Sequence, residues 1–239
     1  AYAQDDKKAD NLPADPLIRE AVEGTFPAIV RIEVVSERGS SGRMLKSRAT
    51  GSGVIVSDKG HVVTNHHVAG KATRITCRLH DGEEVAADLI GADAMTDLAV
   101  IRLRIGERPK DAKPLAVAKF GDSDKVQVGD VCFAMGSPAG LSQSVTRGII
   151  SNVAMISPQR GSFRLDGENV GQLVRWLGHD AVIFPGNSGG PVISSGKIAG
   201  VVMQTLGNSD NIGYMVPVKV LKHFLRDLED GHYDGFPRI

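Results

Sequence analysis

Cysteine is scarce in this chain, with Cys77 and Cys132 alone among 239 residues. Two cysteines cannot build a disulfide framework. In Ile75-Thr76-Cys77-Arg78-Leu79 the alternation places Cys77 on the apolar side, so a buried, inert thiol is expected rather than a nucleophile. Net charge is missing as well: 28 Lys and Arg balance 28 Asp and Glu, leaving no global field to draw the protein to nucleic acid or an anionic membrane. Long apolar runs are absent too, because Gly, Ser or a charge interrupts every greasy stretch well before the ~20 residues that a membrane helix needs. What remains is an ordinary globular balance, 41% hydrophobic and 23% charged, with enough chain for one large core or two small ones.

The amino terminus, Ala1-Tyr2-Ala3-Gln4, has the small-x-small pattern that ends a secretory signal, so export is expected. Residues 1–25 read as a polar leader followed by a short helix, in which Asp15 is the N-cap, Pro16 the first-turn residue and Gly24 the stop. Six Val- and Ile-rich stretches follow at 27–35, 49–57, 61–65, 73–79, 84–92 and 98–104. Hairpin signals with glycine stand at Ser57-Asp58-Lys59-Gly60 and His80-Asp81-Gly82. A connecting composition covers 105–118, and six further strand-like stretches lie near 128–135, 143–155, 172–177, 190–194, 197–205 and 212–217. Residues 156–171 read as a long polar loop. Val218, Leu221, Phe224, Leu225 and Leu228 recur at helical spacing over 218–230, with Gly231 as the stop, and this helix should dock on the second unit. The expected fold is all-β, with two six-stranded antiparallel barrels, 26–112 and 113–239, and a short helix at either end.

Chemistry concentrates in Phe184-Pro185-Gly186-Asn187-Ser188-Gly189-Gly190-Pro191. Glycines on both sides of Ser188 permit positive φ, leave the hydroxyl uncovered and free backbone N–H groups to converge as an oxyanion hole. Gly186, Asn187 and Ser188 are the candidates for that hole. A serine hydroxyl needs a neighbouring base. Of seven histidines, His80, His223 and His232 read as turn-bound or solvated, which leaves His61, His66, His67 and His179. Thr64-Asn65-His66-His67-Val68 closes a Val-rich strand, where adjacent side chains face opposite ways, so only one of His66 and His67 can serve the site. Such neighbours cannot share one metal ion, and no further ligand stands at the right spacing, so no metal is expected. The orienting carboxylate is best placed at Asp97, which opens the apolar run Leu98-Ala99-Val100-Ile101, although a turn-capping role would also suit it; Asp81 and Asp93 lie in more polar turns.

Four segments, Gly51-Ser52-Gly53-Val54, Thr64-Asn65-His66-His67-Val68, Thr96-Asp97-Leu98-Ala99-Val100 and Gly186-Asn187-Ser188-Gly189-Gly190-Pro191, resemble in order the protease domain of the HtrA/Deg family. The resemblance extends from about Phe26 to Asp230, and the order His, Asp, Ser is that of chymotrypsin-like enzymes. It implies that His67 rather than His66 is the base, Asp97 its orienting acid and Ser188 the nucleophile of a serine endopeptidase that needs no cofactor. It further implies protein quality control on unfolded or damaged polypeptides, a periplasmic or other extracytoplasmic location, and a homo-oligomer, trimeric or a multiple of it. The specificity pocket would be lined by Val182, Ile183, Phe184, Met203 and Gln204, without an acid, so a medium apolar P1 residue is expected. Two departures stand out. Phe184 replaces the family's usual Asn, and Asn187 is uncharged where the wider class often has an Asp that pairs with a freed amino terminus. Ordering of the site would then fall to loops or to a bound partner, and the resemblance implies the loop approaching Ser188 and the polar loop at 156–171. No PDZ domain fits in the few residues after Gly231.

Overall fold

Asp15 starts the first helix as local rules require, its carboxylate accepting the Leu17 N–H at 2.9 Å, while Pro16 has no N–H to leave orphaned. The computed structural model describes residues 15–40, 43–137, 143–155, 164–170, 174–205 and 212–231. Helix α1 (Pro16–Thr25) runs on through Gly24, the expected stop, because Phe26–Ala28 continue it as a 3-10 turn and the Phe26 N–H still reaches the Val22 carbonyl.

The first six strands, β1 (Ile29–Ser40), β2 (Arg43–Ile55), β3 (His61–Thr64), β4 (Arg74–Arg78), β5 (Glu84–Asp93) and β6 (Leu98–Leu103), close into an antiparallel barrel in the order β1-β2-β3-β6-β5-β4. Both glycine-marked turns form as expected, Gly60 and Gly82 having φ of +82° and +90°. The β1–β2 hairpin is much longer than the apolar pattern suggested. Its register runs without a break from Ile29 opposite Val54 to Ser40 opposite Arg43. The outer part of β2, from Arg43 to Ala49, is solvent-facing or nearly so, hence the missing hydrophobic signal.

The second barrel uses β7 (Val131–Gly136), β8 (Ser144–Met155), β11 (Trp176–His179), β12 (Pro191–Ser194), β13 (Lys197–Thr205) and β14 (Gly213–Pro217), closed as β11-β14-β13-β12-β7-β8. Between β8 and β11 lies a two-stranded hairpin, β9 (Arg164–Leu165) with β10 (Glu168–Asn169), where sequence suggested only loop; residues 156–163 and 171 of that stretch lie outside the described residues. The strand expected at 172–177 sits at 176–179, which brings His179 inside the barrel.

Ile29, Ile32, Val54, Ile55, Val62, Leu98 and Ile101 are at most 1% exposed in the first barrel, as are Met135, Ile150, Ile193, Ile198, Val202 and Met215 in the second. Each such side chain contributes on the order of 1.5–3 kcal/mol through burial. Helix α2 (His66–Ala69) is a single turn between β3 and β4, and α3 (Val218–Asp230) ends at Gly231, in the left-handed region at φ +73°. Helix α3 packs on β13 and β14, as expected, and also spans the two barrels: a Cβ at Gly91 in β5 would collide with Leu228.

Candidate active site

Strand β3 stops at Thr64, so His66 and His67 stand in the first turn of α2 rather than at a strand end. Successive helical residues diverge by about 100°, which still separates the pair. His66 is buried at 7% exposure, whereas the His67 side chain is 29% exposed. Asp97 opposes them, fully buried and in the left-handed region at φ +57°, a conformation that aspartate tolerates better than most residues. Its Oδ2 accepts from His67 Nδ1 at 2.7 Å and its Oδ1 from the His67 N–H at 2.9 Å. The Asp97 carbonyl in turn accepts the His66 N–H at 3.1 Å and Asn65 Nδ2 at 2.9 Å. An ionised carboxylate can only accept, so Nδ1 carries the proton and Nε2 is left as a base. The turn-capping role belongs to Asp93, which accepts from the Met95 N–H at 2.9 Å and Thr96 Oγ at 2.7 Å. Asp81 likewise caps its own turn, accepting the Glu83 N–H.

The serine lies on the other barrel. Phe184 to Asn187 form a turn closed by Asn187 N–H to the Phe184 carbonyl at 3.0 Å, with Pro185 second and Gly186 third at φ +101°, the positive angle a type II turn demands. Gly189 follows at φ +84°. Among the described residues neither the Gly186 nor the Ser188 N–H has an acceptor, so both are available to an oxyanion. Asn187 differs from the expectation that grouped it with them. Its N–H closes the turn, its side chain is wholly buried, and its Oδ1 accepts from Ser144 Oγ at 3.4 Å; it shapes the loop. Ser188 Oγ rests on the Met203 carbonyl at 3.4 Å, and no hydrogen bond among the described residues joins it to His67. That contact is long, and a rotation about χ1 releases the hydroxyl.

The two halves are stapled by Ser52, which the sequence marked only as part of a motif. Its N–H donates to the Ser188 carbonyl at 2.9 Å, its Oγ donates to the Gly186 carbonyl at 2.6 Å, and the same Oγ accepts the Ser137 N–H at 2.8 Å. Thr64 Oγ holds the Ser52 carbonyl at 2.8 Å. These bonds hold the Gly186 and Ser188 carbonyls from behind and so fix the serine loop against the first barrel. The approach is so close that a Cβ at Gly189 would overlap Ser52 and Thr64.

Residues 51–201 match the family described as Trypsin-like peptidase domain. The chain is 33% identical to a solved structure, "HtrA-type protease AlgW with tripeptide", with a TM-score of 0.71 over 89% of this chain and 64% of that one. The same protease with a decapeptide gives 30% identity, a TM-score of 0.70, and coverage of 88% and 67%. The chain belongs to the HtrA family of trypsin-like peptidases. A Chlamydia muridarum protein titled "Probable periplasmic serine endoprotease DegP-like" is 38% identical over 182 residues, 74% of this chain and 33% of its own length. One from Pseudomonas putida with the same title is 34% identical over 209 residues, 86% of this chain and 39% of its own length. This HtrA domain thus spans a third to about half of such relatives, 55% in a Synechocystis case.

Around the serine of this HtrA domain, Val182 and Phe184 are 45% and 47% exposed and Ile183 is half-buried. The Met203 side chain is buried in the core, so only its carbonyl faces Ser188; the Gln204 side chain lies outside the described residues. The nearby carboxylate of Asp180 accepts the Ile149 N–H at 2.6 Å.

His179 is fully buried beside Gly213 and Ile183, neither ring nitrogen makes a well-formed hydrogen bond among the described residues, and burial pushes its pKa down to about 4 despite the adjacent Asp180 and the Ala181 backbone. It is a neutral core residue. His61 pairs with Ser57 Oγ and His80 with Gln143 Oε1. His223, read as solvated, is half-buried beside Arg226 and Asp227, and His232 lies outside the described residues. Burial raises both Cys77 and Cys132 to about 12, which keeps them as unreactive thiols.

Proposed function

We propose that this domain is a serine endopeptidase acting through an acyl-enzyme, with Ser188 as nucleophile, His67 as general base and Asp97 as its orienting acid. The observation that carries the reading is the doubly bonded His67–Asp97 pair on one barrel together with a serine loop on the other whose Gly186 and Ser188 N–H groups are unclaimed among the described residues. In the proposed reaction the Ser188 hydroxyl attacks the scissile carbonyl while His67 Nε2 takes its proton, and the developing oxyanion sits on the Gly186 and Ser188 N–H groups. His67 then returns that proton to the leaving amine. Water, deprotonated by His67, hydrolyses the ester and restores the serine. Asp97 stays ionised throughout and stabilises the imidazolium. No cofactor takes part in these steps.

The substrates proposed are unfolded or misfolded polypeptides, cut after a medium apolar residue, as the exposed Val182 favours, the nearby Asp180 carboxylate being engaged by the Ile149 N–H. An extracytoplasmic, periplasmic setting follows the titles of the relatives, and the assembly proposed is a homo-oligomer, a trimer or a multiple of it. Among the described residues no helix is long and apolar enough to cross a membrane. The proposed domain limits are 26–112 for the barrel with His67 and Asp97 and 113–239 for that with Ser188. The deciding experiment is hydrolysis of an unfolded protein by the parent and by Ser188→Ala, together with fluorophosphonate labelling. Turnover should fall at least ~10³-fold and labelling should vanish in the folded variant. Undiminished hydrolysis by Ser188→Ala would refute the assignment, and a parent that takes the label at no serine would point to a binding-only protein.

A further inference from the structure

The one-turn helix that carries His67 is gripped from two sides. Within its own barrel, Asp97 holds the N–H groups of His66 and His67. From the second barrel comes the β9–β10 hairpin, whose turn sets Asp166 Oδ2 at 2.9 Å from His66 Nε2 while Asp166 Oδ1 pairs with Lys71 Nζ, just past the end of α2.

The hairpin suits that contact. Asp166 and Gly167 have φ of +54° and +90°, the two positive angles of a type I′ turn, for which Asp-Gly is a preferred pair. The Arg164 guanidinium donates to the Gly167 carbonyl from Nη2 at 2.6 Å and Nε at 3.2 Å. On its far side Val170 and Val174 are 3% and 5% exposed and join the apolar cluster that contains Trp176 and Tyr214, whose rings meet edge to face at 5.2 Å. On the receiving side, Gly70 leaves room for the His66 ring, since a Cβ there would fall 2.5 Å from Nδ1. Lys71, and then the His66 ring, hold the Asp166 carboxyl below its usual range.

The contact with Lys71 involves an ammonium that is 70% exposed and contributes little. The contact with His66, which is 7% exposed, is shielded and directional. Base and nucleophile stand on different barrels, so their separation depends on whatever ties α2 to the second barrel, and misplacement by about 1 Å at such a pair costs up to ~10²-fold in rate.

We infer that Asp166 is a positioning residue: through His66 it fastens α2 of the first barrel to the second barrel and so sets how His67 meets the Ser188 hydroxyl. The inference rests on the proposed roles of His67 and Ser188.

Its test measures three quantities on the same protein, namely the rate of fluorophosphonate labelling of Ser188, kcat and KM on a peptide, and the unfolding midpoint. Asp166→Gly keeps the positive φ and removes the carboxylate, while Asp166→Asn keeps one acceptor oxygen. Asp166→Gly should lower labelling rate and kcat together by about 10-fold, leave KM within about 2-fold and hardly move the midpoint, and Asp166→Asn should recover most of the loss. If Asp166→Gly does not fold, His66→Leu removes the same contact from the other partner and carries the same expectation. A folded Asp166→Gly with the parent's labelling rate and kcat overturns the inference, as does a lowered midpoint with unchanged kcat. A parent that takes no label at Ser188 overturns the catalytic reading itself, and the inference with it.

Discussion

Acid should destabilise this domain in a defined window through one residue, His179. The ring is fully buried, neither nitrogen makes a well-formed hydrogen bond among the described residues, and its pKa is pushed down to about 4 from 6.5, chiefly by burial. It is therefore neutral in the fold. Above pH ~6.5 neither the folded nor the unfolded chain binds a proton at this site, and nothing is lost. Between ~6.5 and ~4 the unfolded chain takes up a proton that the folded one refuses, so stability falls as pH falls; below ~4 both are protonated and the loss levels off. The full difference corresponds to about 3 kcal/mol at 1.36 kcal/mol per pKa unit. Somewhat under half of it should be gone at pH 5.5 and most of it at pH 4.5. The assay is urea unfolding of Ser188→Ala protein, which avoids self-cleavage, at pH 7.5, 5.5 and 4.5, with and without His179→Leu. The difference between the two series isolates the histidine from the carboxylates. The parent should lose the stated amounts relative to the variant, whose own ring titration is gone. Parallel pH dependences for the two proteins would refute the reasoning, as would an imidazolium at His179, protonated on both ring nitrogens, by NMR at pH 6 in the folded state.

Other expectations follow from contacts at the site. Ser52→Ala removes a buried hydroxyl that serves the Gly186 carbonyl and the Ser137 N–H, and should cost about 1–3 kcal/mol in urea unfolding and lower kcat in peptide hydrolysis. Gly189→Ala forces a Cβ against Ser52 and Thr64 at φ +84°, so soluble yield or unfolding midpoint should drop more than for Ser52→Ala. A P1 peptide panel should favour Val, Leu or Ala; strong preference for Arg or Lys would refute the acid-free pocket. Cys77 and Cys132 should resist iodoacetamide at pH 8 in the native protein and react quickly in denaturant, read by mass.

Much of the second barrel's chemistry was legible because it is local. A serine between glycines announces a turn with positive φ, and Gly186 and Gly189 adopt those angles. Asp97 was harder, since its apolar neighbours suit both a turn cap and a buried acid; Asp93 takes the cap and leaves Asp97 buried against His67. The β9–β10 hairpin could have been read from Asp166-Gly167, a strong turn pair, but polar flanks hid its strands. The outer part of β2 was hidden likewise, for its side chains from Arg43 to Ala49 bury little and carry no alternation.

Sequence alone determined the all-β class, the glycine turns, the residue types able to act as nucleophile, base and acid, and the lack of net field, because each follows from near neighbours or from composition. Only the tertiary structure decided how residues far apart in the chain meet. Closure of each barrel sets Asp97 under His67, docking of one barrel on the other puts Ser52 behind Ser188, and the cross-barrel reach of Asp166 to His66 appears only once both barrels stand. Such pairings depend on strand register and barrel packing, which no local pattern encodes.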